Sequence, residues 1–154
     1  MNLPERDVTL AECLVAEART WLGTPYRHQA SVKGMGCDCL GLLRGVWRNV
    51  LGFEPVSVPA YTTDWGSAEA SETILEGARR ILDPVMTGVP RAGDVIVFRW
   101  RANAVARHMG LASGPSSFIH AWEKAGVVEA ALVPQWRNRI AGLFSVRESS
   151  PDFR

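Results

Sequence analysis

The sequence predicts an α+β fold in which N-terminal helices pack on an antiparallel β-sheet. In the first 82 positions the apolar residues recur with a helical period, whereas after Arg91 they fall into short β-like runs separated by turn residues. Helices followed by a meander of strands, rather than alternating with them, are typical of antiparallel α+β folds. A chain of 154 residues can bury a core of its own, so we expect a single domain over residues 1–154.

Composition and charge exclude several classes of function. The formal net charge is +1, with no block of basic residues, which argues against a nucleic-acid partner. No apolar run approaches the ~20 residues that a membrane-spanning helix needs, so we expect no membrane insertion. The N-terminus MNLPERDVTL lacks the layout of a secretory signal, so we expect cytoplasmic synthesis without a signal peptide.

Two helices are predicted before residue 53. Thr9-Leu-Ala-Glu12 reads as a capping box that starts the first helix, and Gly23-Thr-Pro25 ends it. The second helix begins near Cys39, and Gly52 is a suitable C-terminal cap. One face of this second helix is apolar and is formed by Cys39, Leu42, Leu43, Val46 and Val50.

A long loop over residues 53–66 precedes a third helix, Ser71–Leu82. Five strands are expected after the turn Ala92-Gly93-Asp94: Val95–Trp100, His108–Ala112, Phe118–Trp122, Val127–Leu132 and Leu143–Val146. The six tryptophans are more simply explained as core than as a sugar-binding surface, so none is assigned a role.

Cys37 and Cys39 flank Asp38 at the start of the second helix, and three interpretations apply. A disulfide between them is disfavoured, because one intervening residue forces a strained ring. A zinc site could use Cys37, Cys39, His108 and His120, although C-x-C lies outside the usual ligand spacing. A nucleophilic Cys39 would have its pKa lowered by the helix N-terminus, whereas a plain buried cysteine would only pack.

Two of the three histidines favour the nucleophile. His108 and His120 lie in two short strands around Gly114-Pro115. A hairpin that turns about Gly114 pairs residues whose numbers sum to 228, which places His108 directly opposite His120 on one face. His108 would then be a base held in orientation by His120, which is the general arrangement of a catalytic triad.

Several short motifs resemble, in order, those of the NlpC-type cell-wall peptidases, a family of papain-like cysteine peptidases. The motifs run from about Trp21 to Trp122, roughly two thirds of the chain. They are Gly23-Thr-Pro-Tyr26, Asp38-Cys-Leu-Gly-Leu-Leu43, Ala92-Gly-Asp-Val-Ile-Val-Phe98, His108-Met-Gly-Leu-Ala112 and Phe118-Ile-His-Ala121.

The resemblance implies a role for each of five residues. Cys39 would be the nucleophile, His108 the general base and acid, and His120 the residue that orients His108. Tyr26 would stabilise the oxyanion, together with the backbone N–H of Cys39. Asp38 would bind a substrate amine, and from the residues alone a charge partner at the helix end is an equally good explanation. No metal and no organic cofactor are expected.

Two positions depart from the family pattern or add to it. Leu40 follows the nucleophile where the family usually has serine, which puts the usual preference for a free N-terminal L-alanine stem in doubt. Cys37 is not a family requirement, so it is either a spectator or a trap for an oxidised Cys39.

The loop Lys33–Gly36 and the insert Tyr61–Trp65 resemble the subset of the family found beside phage tail genes and in gene transfer agents. The resulting hypothesis is a peptidoglycan stem-peptide endopeptidase carried on a phage-like tail, with tail-tip or hub proteins as partners. It would open the cell wall of the target cell at entry. The alternatives are a catalytically silent tail-hub protein of the same fold, an amidase or other acyl-transfer enzyme, and a zinc-binding module.

Overall fold

A computed structural model describes residues 9–54 and 73–146. Most of the predicted loop 53–66, the insert Tyr61–Trp65 and the first two residues of the predicted third helix lie outside these ranges. The helices are α1 (Leu10–Arg19), α2 (Cys39–Leu51), α3 (Thr73–Ile81) and α4 (Pro134–Arg137). The strands are β1 (Ser31–Val32), β2 (Gly36–Cys37), β3 (Asp83–Pro84), β4 (Val95–Phe98), β5 (His108–Gly114), β6 (Ser117–Trp122), β7 (Gly126–Ala131) and β8 (Ile140–Ser145).

Local signals set the ends of α1 and α2. The Thr9 hydroxyl accepts the Glu12 backbone N–H at 3.1 Å, as expected for an N-terminal cap. The chain leaves the turn after α1 at Gly23, whose φ of +85° lies in the region that favours glycine. Gly52 ends α2 with a φ of +82°.

Six strands form one antiparallel sheet in the order β3-β8-β4-β5-β6-β7. Strands β4 to β7 follow one another as the expected meander. The last strand, β8, does not extend it but returns to pair with β4 at the other side. This return is the one departure from the predicted order of the five strands.

The sheet has an apolar layer on each face. Val95 and Val97 point into the larger core with α1 and α2, whereas Ile96 and Phe98 point into a smaller cluster on the other face. This alternation is the period of two that a strand imposes on its side chains. The predicted α+β fold with helices on an antiparallel sheet is confirmed. No helix within residues 9–54 and 73–146 is long and apolar enough to cross a membrane.

Candidate active site

Cys39 is the first residue of α2, and its position depends on the side chain of Asp38. Asp38 Oδ1 accepts the backbone N–H of Gly41 at 2.7 Å, which caps the helix. Its Oδ2 accepts the backbone N–H of Gln29, also at 2.7 Å. Because Asp38 is only 2% exposed, these bonds are shielded from water and fix the helix start against the preceding loop.

Tyr26 is placed beside Cys39 by the same loop. It forms an isolated parallel bridge with Cys37, whose N–H donates to the Pro25 carbonyl and whose carbonyl accepts the Arg27 N–H, both at 3.0 Å. Burial raises the pKa of Tyr26 to about 12, and Cys39 and Asp38, when ionised, raise it further. The predicted oxyanion residue therefore lies next to the predicted nucleophile.

His108 and His120 are in direct contact, although the predicted register is wrong. The observed pairs Leu111↔Ile119 and Ala112↔Phe118 have numbers that sum to 230 rather than 228. The hairpin turns at Pro115 and Ser116, with a register shift between Ala112 and Gly114. A slip of two residues keeps both histidines on one face, since only an odd slip reverses the faces.

The two rings meet diagonally across the strands. His108 Nε2 lies 2.7 Å from His120 Nδ1. The residue opposite His120 is Gly110 in this register, and a Cβ there would lie 3.3 Å from the His120 Cβ and 3.0 Å from the Phe118 ring. Glycine thus provides the room in which His120 reaches across to His108.

A cleft of about 390 Å³ brings the predicted residues together. Cys39 and His108 both line it, with Tyr26 and Asp38, whereas His120 lies behind His108. The remaining lining residues are Trp100, Arg107, Ala121, Trp122, Glu123 and Lys124.

The expected fall in the pKa of Cys39 is wrong. Burial is the largest effect and raises the pKa of the Cys39 thiol to about 12, and the negative charge of Asp38 raises it further. The backbone N–H groups of Met109, Leu40 and Cys39 lower it, but by less. The helix terminus therefore acts in the predicted direction and is outweighed by the loss of solvent.

The histidine pair is also held neutral. Burial lowers the pKa of His108 to about 3, with a further contribution from His120, and lowers the pKa of His120 to about 4. A neutral His108 can accept a proton. Because its Nε2 contacts His120, Nδ1 is the ring nitrogen left to take the thiol proton. This requires His108 to carry its hydrogen on Nε2 and His120 to accept it at Nδ1.

Leu40 and Cys37 belong to the core. Leu40 is 6% exposed and packs with the apolar residues of α2 rather than lining the cleft. Cys37 is fully buried, and its thiol, like those of Cys13 and Cys39, is free. Within the two described ranges, no three His, Cys, Asp or Glu side chains are grouped so that they could hold a metal ion, which disfavours the zinc interpretation.

A family model described as "NlpC/P60 family" matches residues 23–143. The chain belongs to the NlpC/P60 family. The match spans strands β3 to β7 and the first part of β8, as well as Tyr26, Asp38, Cys39, His108 and His120.

The curated relatives that the chain matches are named as a murein endopeptidase and carboxypeptidase. The chain is 25% identical over 135 residues to the Escherichia coli K12 protein named murein DD-endopeptidase MepS/murein LD-carboxypeptidase. The match covers 87% of this chain and 62% of that protein, so the chain spans about three fifths of its relative's length.

Solved NlpC/P60 structures share the fold. The NlpC/p60 domain of the peptidoglycan hydrolase SagA superposes with a TM-score of 0.59 at 26% identity, covering 90% of this chain and all of that one. An NlpC/P60 protein from Bacillus cereus gives a TM-score of 0.63 at 20% identity, covering 86% and 39%. The prediction that the chain resembles the NlpC-type family is confirmed, and the proteins it matches include a murein endopeptidase and a peptidoglycan hydrolase domain.

An aromatic cluster around the histidines was not predicted. The Trp100 ring is stacked on His108, with centroids 5.5 Å apart and planes at 22°. The ring centroids of Trp136 and His120 are 5.1 Å apart, and those of Trp122 and Trp100 are 5.7 Å apart. These tryptophans come from the connection after β4, from α4 and from the end of β6. No pattern within one segment could have found this cluster.

Proposed function

We propose that this protein is a peptidoglycan stem-peptide endopeptidase that works through a cysteine acyl-enzyme. One observation carries the proposal. A cysteine at the start of a helix and a neutral histidine, itself in contact with a second histidine, line the same cleft. This is the arrangement of nucleophile, base and orienting residue that acyl transfer requires.

In the proposed first step, Cys39 Sγ attacks the carbonyl carbon of the scissile amide while His108 Nδ1 takes the thiol proton. The negative charge that develops on the carbonyl oxygen is stabilised by the Tyr26 hydroxyl and the backbone N–H of Cys39. The C–N bond then breaks, and His108 gives its proton to the leaving amine. The acyl group remains on Cys39 as a thioester.

The second half-reaction releases the acyl product. His108 takes a proton from water, whose oxygen attacks the thioester carbon. The C–S bond breaks, the proton returns to the sulfur and the enzyme is restored. His120 keeps the His108 hydrogen on Nε2 throughout, which leaves Nδ1 available in both halves.

Cys39 and His108 are both neutral in the resting enzyme in this mechanism. With the pKa of Cys39 raised to about 12 and that of His108 lowered to about 3, neither group carries a charge near pH 7. Proton transfer therefore accompanies attack rather than preceding it. The oxyanion donors then supply stabilisation only where charge develops, which is the condition for transition-state binding.

Asp38 is proposed to position Cys39. Each of its oxygens already accepts a short backbone hydrogen bond. Each carboxylate oxygen can accept a second hydrogen bond and Asp38 lines the cleft, so the contact with a substrate amine that the resemblance implies is proposed beside this positioning role.

We further propose the bond and the setting from the family resemblance. The bond is the one between γ-D-glutamate and the diamino acid of the stem. The setting is a phage-like or gene transfer agent tail, where the enzyme would dock on tail-tip or hub proteins and act in the periplasm or cell wall of the target cell. The loop Lys33–Gly36 supports this setting by its similarity to that subset.

The deciding experiment uses purified Gram-negative sacculi and mass spectrometry of the released fragments. The parent protein, a Cys39→Ala variant and a Cys13→Ala control are compared. Cys13 is a free thiol on α1 that does not line the cleft, so its loss controls for removing any thiol. Fragments from the parent and the control, but not from Cys39→Ala, are expected.

The fragment masses separate the two enzymatic alternatives. Cleavage within the stem gives peptides that start at the diamino acid, whereas an amidase releases whole stems that start at L-alanine. If folded parent protein with reduced Cys39 releases no fragments, the silent tail-hub alternative replaces the proposal.

A further inference from the structure

The proposed mechanism places a positive charge on a buried ring. When His108 Nδ1 takes the proton of Cys39, the imidazole becomes an imidazolium, and His108 is only 6% exposed. A charge taken out of water is costly unless a neighbouring group compensates it. Within residues 9–54 and 73–146, the side-chain hydrogen bond of His108 is to neutral His120, and the histidine that forms an ion pair is His28, with Asp38. No carboxylate there compensates the charge on His108 by contact.

The charged side chains of the cleft do not compensate it either. Two acidic and two basic residues line the cleft, so their charges cancel: Asp38, Glu123, Arg107 and Lys124. Arg139 adds a further positive charge nearby, because its guanidinium lies 5.6 Å from the centre of the Trp100 ring. A guanidinium repels an imidazolium. Stabilisation therefore has to come from the groups that contact the His108 ring.

Three aromatic rings lie at a small angle to the His108 ring. Phe98 pairs directly with His108 across β4 and β5, Trp100 is two positions further along the same segment, and Trp136 comes from α4. In that order, their ring centroids lie 5.8, 5.5 and 5.9 Å from the His108 centroid, with planes at 32°, 22° and 35°. A cation within about 6 Å of an aromatic face is attracted by the negative charge of that face, most strongly in tryptophan.

Trp100 is the best placed of the three rings. It is the nearest to His108 and the most nearly parallel, so its π face is turned towards the imidazole. It also lines the cleft together with Cys39, from which the proton comes. Phe98 has the weaker π face, and Trp136 is closer to His120, with centroids 5.1 Å apart.

We propose that the π face of Trp100 stabilises the protonated form of His108 by a cation–π interaction. Trp100 acts through His108 rather than on the substrate, so it is a positioning residue. Because the attraction strengthens only when the ring becomes charged, it favours the transition state over the resting enzyme. This inference rests on the proposed function, in which His108 is the base.

The test uses iodoacetamide, a probe that needs no peptidoglycan. Cys39 Sγ attacks the methylene carbon of the reagent, iodide leaves, and the thiol proton passes to His108. Tandem mass spectrometry measures the rate of alkylation at Cys39, and Cys13 in the same molecule is the reference thiol. Site-specific incorporation of mono-, di- and trifluorotryptophan at Trp100 weakens the π face at nearly constant shape, since each fluorine withdraws charge from the ring.

The alkylation rate at Cys39 should fall with each added fluorine. In Trp100→Leu it should be about 3- to 30-fold lower, the range of a cation–π interaction. Trp100→Phe keeps an aromatic face and should lose less. The rate at Cys13 should not change. A rate at Cys39 that is independent of the number of fluorines overturns the inference.

A double-mutant cycle with His108→Gln separates this role from a structural one. No imidazolium can form at that position, so fluorination of Trp100 should leave the residual alkylation rate of Cys39 unchanged. Arg139 stacks on Trp100 in both backgrounds, so its contribution cancels. An equal effect of Trp100 fluorination in the two backgrounds overturns the inference.

Monofluorotryptophan at Trp21 is the matched control. Trp21 is buried in the larger core and, among the described residues, its ring contacts neither His108 nor His120. The same fluorine there should leave the alkylation rate of Cys39 unchanged. A fall equal to that of monofluorotryptophan at Trp100 overturns the assignment to Trp100.

NMR of ¹³C-labelled histidine gives a second readout that does not use Cys39. The chain has three histidines, so the resonance of His108 is assigned by its loss in His108→Gln. At the lowest pH at which the protein stays folded, a smaller fraction of His108 should be protonated in the fluorinated Trp100 variants than in the parent. An equal fraction overturns the inference. If the parent releases no fragments from sacculi, the proposed function fails, and alkylation and NMR still decide the role of Trp100.

Discussion

His108 Nε2 and His120 Nδ1 lie 2.7 Å apart although the two residues are not opposite each other in the β5–β6 hairpin. The contact is diagonal, and it exists because Gly110 leaves space opposite His120. The positions of the proposed base and its orienting residue thus depend on the strand register and on the missing side chain at Gly110.

Replacing His120 tests its role as the partner of His108. His120→Leu removes the acceptor at Nδ1, so the His108 hydrogen is no longer held on Nε2, and kcat should fall by about 10²-fold or more. His120→Asn offers an oxygen acceptor and should keep more activity than His120→Leu. Steady-state kinetics on a stem peptide measures both. If His120→Leu had the same kcat and the same free energy of unfolding as the parent, the proposed role of His120 would be contradicted.

Stability should depend on pH through the same pair. Both pKa values in the folded protein, about 3 for His108 and about 4 for His120, lie below the ordinary value of 6.5. Below pH 6.5 the unfolded chain binds protons that the folded one does not. The free energy of unfolding should therefore fall as pH drops from about 6.5 to about 4, by up to ~1.4 kcal/mol per pH unit for each histidine.

Urea unfolding at a series of pH values measures this slope. His120→Asn should make it shallower because one of the two buried histidines is gone. Equal slopes in parent and variant would show that other groups dominate the acid response. Above pH 6.5 these two histidines contribute no further dependence.

Gly110 and Gly114 form a matched pair on β5. A Cβ at Gly110 would lie 3.0 Å from Phe118 and 3.2 Å from the Ile119 carbonyl, whereas one at Gly114 has only Ser117 Oγ, at 3.9 Å. Gly110→Ala should cost about 1–3 kcal/mol of stability and displace His120, which lowers kcat. Gly114→Ala should change neither quantity appreciably. Urea midpoints and kcat, measured on both variants, test whether the space at Gly110 is needed for stability and for the position of His120.

Asp38→Ala should lower stability and activity together. It removes the cap on the Gly41 N–H, worth about 0.5–2 kcal/mol, and leaves the Gln29 N–H without its acceptor. Cys39 is the next residue, so the loss of the cap also loosens the nucleophile. Thr9→Ala is the control, because it removes an exposed cap on α1. That change should reduce stability by about 1 kcal/mol with kcat unchanged.

Features that depend on neighbouring residues could be predicted from the sequence. The starts of α1 and α2, the glycine that ends α2 and the placement of Cys39 beside its cap all follow from side chains within about four positions. The common face of His108 and His120 was also predicted, because the error of two residues in the register leaves each side chain on the same side of the sheet.

Features that depend on the whole fold could not be predicted. The register of β5 and β6 depends on where the turn falls, and the turn at Pro115 and Ser116, together with the irregularity between Ala112 and Gly114, moved it by two residues. The return of β8 to β4 is a choice between sheet edges that no local pattern encodes. The pKa of Cys39 is raised by burial more than it is lowered by the helix terminus, and burial depends on residues distant in sequence.

The aromatic cluster gives the protein a built-in optical reporter. Trp100 is stacked on His108, and Trp136 lies 5.1 Å from His120. A protonated imidazole quenches indole emission more strongly than a neutral one does. Intrinsic fluorescence should therefore fall when the two histidines take up a proton, so the charge state of the proposed base can be followed without label or substrate.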